Sequence, residues 1–66
     1  MRYFKSRHYY GVEHYRVFPD GSYQYYSLRE RAWSEGALNT WKEENFEQAE
    51  EVTPLEILIM FGYEAV

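Results

Sequence analysis

The sequence predicts an α+β fold: a three-stranded antiparallel β-meander followed by two or three short α-helices, the C-terminal helix packed on one sheet face. Three observations carry this expectation. The first half alternates apolar and polar residues around two turn signals. The rest of the chain, from Ser27 on, holds three Ser/Thr-x-x-Glu helix starts, and the last of these opens LEILIMF, a run that is almost wholly apolar.

The stretch VFPDGSY gives Pro19 a fixed φ at the start of a turn, then Asp20, then Gly21 where φ is positive, which makes a three-residue hairpin loop. Tyr10-Gly11 supplies a second, two-residue connection. Strands are therefore expected at 2–9, 12–18 and 22–27. Alternation then places Tyr15, Val17, Tyr23 and Tyr25 on one apolar face, joined by Phe4, Ser6 and His8, as the floor for the C-terminal helix. The opposite face collects Tyr3, Lys5, Arg7, Tyr9, His14, Arg16, Gln24 and Tyr26. In this register Lys5 falls opposite Arg16 and Arg7 opposite His14, so an acidic cover is expected over them.

Ser27 with Glu30, Thr40 with Glu43 and Thr53 with Glu56 each fit the capping box. The first predicts a helix over 28–35, stopped by a left-handed Gly36. The second predicts 41–51, with Trp41, Phe46 and Ala49 on a narrow stripe, either as a helix lying on a surface or as a poorly ordered acidic segment. The third starts at Pro54, ends at Gly62 and is stapled by Val52 onto Ile57. Leu55, Ile57, Leu58, Ile59, Met60 and Phe61 are too apolar for a surface helix, so most of them are expected to be buried against the sheet or a second subunit.

Sixty-six residues make one domain, 1–66, with room for one core. Cysteine is absent, so folding rests on packing, and aromatic residues at 21% are the core material. They exceed what one small core encloses, which leaves rings for a contact surface. His8 and His14 fall on opposite faces and cannot complete a four-ligand zinc site. No serine stands near a His-acid pair. The chain is thus read as non-enzymatic, with no metal, no cofactor and no small-molecule substrate. No stretch approaches the ~18 apolar residues of a membrane span, and no signal-peptide run follows Met1-Arg2. The expected location is cytoplasmic, the cytoplasm of an infected bacterial host included.

Charge is divided. The chain carries −4 overall, with the cations concentrated before residue 35 and the glutamates after it. That balance argues against sequence-independent DNA binding. It leaves two candidate surfaces. Glu43, Glu44, Glu47, Glu50 and Glu51 form an acidic strip on the expected helix 41–51, able to mimic phosphates in a basic groove of another protein. Tyr3, Lys5, Arg7, Tyr9, His14, Arg16 and Tyr26 form a basic-aromatic platform suited to single-stranded nucleic acid. Cover of that platform by the chain's own glutamates, or by those of a second copy, ranks ahead of nucleic acid. Trp33 and Trp41 are candidate aromatic anchors.

Small, acidic, cysteine-free and aromatic-rich, the chain resembles phage-encoded or mobile-element inhibitors, anti-CRISPR proteins and DNA mimics among them. That resemblance implies inhibition of another protein. A single-stranded nucleic-acid-binding module is the alternative, and a homo-oligomeric structural subunit, a homodimer first, is the third.

Overall fold

A computed structural model describes residues 1–36 and 40–66. Five antiparallel strands form one sheet: β1 Arg2–His8, β2 Gly11–Val17, β3 Tyr23–Ser27, β4 Ala32–Glu35 and β5 Glu50–Val52, in the order β4-β3-β2-β1-β5. One helix follows, α1 Pro54–Phe61, and short 3₁₀ turns occupy Glu43–Asn45 and Tyr63–Ala65. The expectation of three strands and two or three helices is overturned.

The second hairpin forms as its residues dictate. Phe18 N–H donates to the Ser22 carbonyl at 2.9 Å, Gly21 takes φ 91°, and the Asp20 carboxylate accepts from the Ser22 amide at 2.9 Å. The first hairpin differs from expectation by two residues. Its loop is Tyr9-Tyr10, so Lys5 pairs with His14, Arg7 with Val12 and Tyr3 with Arg16. A shift of two keeps every side chain on its expected face, because strand periodicity is two. It also separates Lys5 from Arg16, which now faces Tyr3, and Arg7 from His14.

Residues 28–35 are not a helix. Eight residues make too few bonds to offset the cost of helix nucleation in isolation, and the free edge of β3 offers a ladder instead, on which Trp33 pairs with Tyr26. The capping bond expected at this start is nonetheless present, Glu30 N–H to Ser27 Oγ at 3.2 Å. It holds a turn, which Arg31 at φ 55° closes into β4. Gly36 is not a left-handed cap. It lies under the Tyr23 ring, where an added Cβ would come within 2.3 Å of a ring carbon.

Residues 41–51 are not a helix either. A spacing of five would set Trp41 and Phe46 about 140° apart around a helix, and the glutamates at i, i+3 and i+4 would repel one another. In irregular backbone the two rings stack, centroids 4.2 Å apart. Together they cover Phe4, Tyr15, Val17 and Tyr23, the buried residues of the apolar face. The segment is pinned by the Trp41 amide to the Gly21 carbonyl at 2.8 Å, and at Glu47, whose carbonyl accepts from Ser6 Oγ at 2.7 Å.

With that face occupied, α1 packs on the other one. Its cap is the expected one: Thr53 Oγ1 accepts from the Glu56 amide, Pro54 takes the first helical position and Gly62 ends the helix. Ile57 packs with Tyr3 and Ala65, flanked by Tyr26, Trp33, Val52 and Phe61. Tyr26 and Phe61 stack at 4.0 Å, and Trp33 Nε1 donates to the Ala65 carbonyl at 2.8 Å. The expectation that α1 lies on the Tyr15/Tyr23 face is therefore corrected. So is the burial of its apolar residues, since Ile57 alone is buried and Leu58 is 37% exposed. Among the described residues no helix is long and apolar enough to cross a membrane.

Ile57→Ala is expected to cost about 2–5 kcal/mol, as for a buried aliphatic side chain, whereas Ile59→Ala should stay within about 0.5 kcal/mol. Urea unfolding checks this. Equal costs at the two positions would show that α1 docks in a different rotation.

Candidate partner-binding surface

The structure distributes the expected site residues unevenly. Tyr3, Lys5, Arg7, His14, Arg16 and Tyr26 do share a face, while Tyr9 sits in the β1–β2 turn, 93% exposed. The middle of that face is not open. Tyr3 and His14 are buried beneath α1, Tyr26 stacks on Phe61, and the Arg16 guanidinium lies 4.8 Å from the Trp33 ring centroid. Arg16 Nε also donates to Gln24 at 2.7 Å, whose amide donates to Glu35. A base-stacking platform would need those rings free.

The acidic cover is present, but it comes from β5 and α1. Lys5 Nζ is 3.2 Å from Glu50 and 3.5 Å from Glu56, and His14 Nε2 is 3.2 Å from the same Glu56 oxygen. The Glu50 hydrogen bond, with the charge of Glu56 behind it, holds the Lys5 ammonium above its ordinary value. His8 lies on the opposite face near Glu13 at 3.7 Å, apart from His14 as the alternation requires.

The five glutamates of the acidic strip do not line up. Glu43 and Glu44 lie in the 3₁₀ turn, Glu47 follows it, and Glu50 and Glu51 are neighbours on β5, so their side chains leave by opposite faces. Glu51 takes Arg2 through two bonds, from Nε at 3.0 Å and Nη2 at 2.8 Å. Glu43, Glu44 and Glu47 remain exposed and form no ion pair among the described residues. Trp33 and Trp41 are half-buried, each sealing one face of the sheet.

Two surfaces escaped the sequence reading. The first is the outer side of α1, where Leu55 is 60% and Ile59 74% exposed, with Met60, 53% exposed, on its flank. LEILIMF signals it, because an eight-residue helix can press only one stripe onto a sheet and this one has apolar residues to spare. The only charged side chain on α1, Glu56, is turned inward to Lys5 and His14. The second is a cleft of about 560 Å³ beside α1, bounded by its Met60 and Phe61 and by the far ends of β2 and β3. The two surfaces meet at Met60.

The Arg2 hydrogen bonds hold the Glu51 carboxyl below the ordinary carboxylate range. A depressed folded-state value means stability that is complete above that range and lost as the pH falls through the lower value. In Glu51→Gln, part of the acid dependence of the urea midpoint should vanish, and the remaining difference from the native chain should disappear in about 1 M salt. An unchanged acid slope would show that this pair does not hold β5. Comparison with protein-family models, curated proteins and solved structures finds no match, so the meaning of these surfaces rests on their own geometry.

Proposed function

We propose that the chain is a non-enzymatic protein-binding module that docks through the outer face of α1. The observation that carries this reading is the exposure of Leu55, Ile59 and Met60 on a helix whose sole charged side chain is turned into the sheet. Large apolar side chains left exposed in this way mark contact sites in soluble proteins, since water penalises them until a partner covers them. The partner is a protein offering a complementary apolar patch. Glu43, Glu44 and Glu47 belong to the segment that covers the other sheet face, so a basic groove gripping them would be a separate contact.

Replacing Ile59 with a photoreactive residue should yield a protein adduct in extracts of the source cell, while the same residue at Glu44 should not. The adduct should fall at least roughly tenfold on adding Leu55→Glu, as for a hot-spot residue worth more than about 1.4 kcal/mol. Leu55 is exposed, so the variant's urea midpoint should match that of the native chain. Adducts from position 44 alone would overturn the reading and return the acidic segment as the contact.

A further inference from the structure

The cleft beside α1 exists because the sheet opens there. The β2–β3 ladder runs only from Val17 with Tyr23 to Tyr15 with Tyr25, yet β2 extends on to Gly11 and β3 to Ser27. Residues of both ends, which pair with β1 and β4 but not with each other, line the opening, with Met60 and Phe61 of α1 forming its other wall. Its volume of about 560 Å³ falls within the range of roughly 300–1,000 Å³ typical of small-molecule sites.

The lining is amphipathic, and its charges are not all spent. Lys5 is neutralised by Glu50 and Glu56, and the Glu56 carboxylate is in turn held by Lys5 and His14. The Glu13 carboxylate is directed to the other face, toward His8 and the Tyr15 hydroxyl. Arg7 and Arg29 also line the cleft, and neither forms an ion pair among the described residues. Strand order puts Val12 of β2 between Arg7 on β1 and the β3–β4 turn that carries Arg29. Arg7 and Arg29 thus stand on the two sides of Val12 in the cleft lining, which also includes exposed Leu28 and Met60.

We propose that this cleft binds a small amphipathic organic anion: a carboxylate or phosphate head on an aryl or short acyl body. Arg7 and Arg29 take the head, because a planar guanidinium fork matches a carboxylate or phosphate edge. Val12, Leu28, Met60 and Phe61 take the body. The chain's net −4 repels a polyanion as a whole, whereas a single anionic head meets only this local pair of cations. The proposal stands independently of any protein partner at α1.

Octanoate, octyl phosphate, octanol and octylammonium, titrated into the ¹⁵N-labelled chain, separate head from body. Octanoate and octyl phosphate should give saturable shifts at the amides of Val12, Leu28 and Met60, at least roughly tenfold tighter than octanol, with octylammonium weaker still. The double variant Arg7→Gln, Arg29→Gln should bring octanoate to the octanol level without moving the urea midpoint. Leu28→Asp should weaken octanoate and octanol alike. Equal affinity for all four probes, shifts confined to Leu55 and Ile59, or an unaffected double variant would each overturn the proposal. Cosedimentation with phosphatidylglycerol vesicles in the absence of any octanoate shift would also overturn it, in favour of a membrane surface.

Discussion

The stack of Trp41 on Phe46 is the contact on which the rest of the architecture depends. It closes the Phe4/Tyr15/Tyr23 face with two rings from a segment that has little regular structure of its own. Because that segment crosses the sheet, the chain arrives at the edge of β1 opposite β4 and pairs there as β5. Val52 then lies on the remaining face, and the turn at Thr53 and Pro54 lays α1 over it. Without the two rings, α1 would be the only cover available for two apolar surfaces.

A single sheet therefore serves two cores through alternation. Phe4 points to one and Tyr3 to the other, and β2 and β3 divide in the same way, with Tyr15 and Tyr25 against His14 and Tyr26. Aromatic side chains suit a chain this small, since each supplies large contact area with few rotatable bonds. Some polar groups are carried along. Trp33 finds the Ala65 carbonyl, whereas Trp41 Nε1 is buried without a partner among the described residues and is tolerated for the ring it brings.

Local chemistry was legible where the determinants are local. Pro19, Asp20 and Gly21 specify their loop, Thr53, Pro54 and Gly62 specify the ends of α1, and strand periodicity separated the two faces even though the first hairpin register was off by two. What the sequence concealed depends on distant partners. Ser27 with Glu30 makes its capping bond in a turn as well as in a helix, and the choice fell to the free edge of β3. Trp41 and Phe46 look helical in a stretch rich in glutamate until the sheet beneath offers them a face. Alignment of the five glutamates into one strip requires that helix and is lost with it, whereas the outer side of α1 was visible as an excess of apolar residues without its location. The cleft could not be seen at all, because it is made by the parting of two strands.

The pairing of β5 with β1 joins residues more than forty positions apart, while every other ladder among the described residues is a neighbouring hairpin. Loop closure makes such a contact entropically costly, and three residue pairs return little against it. The four-stranded meander consequently can zip from its own turns, with β5 and α1 docking last and detaching first as one cooperative unit. On that ordering, amide exchange in Glu50–Phe61 would report this docking step. A partner gripping α1, as proposed, would act on the least secure edge of the protein, and its binding energy would be felt as closure of the whole fold.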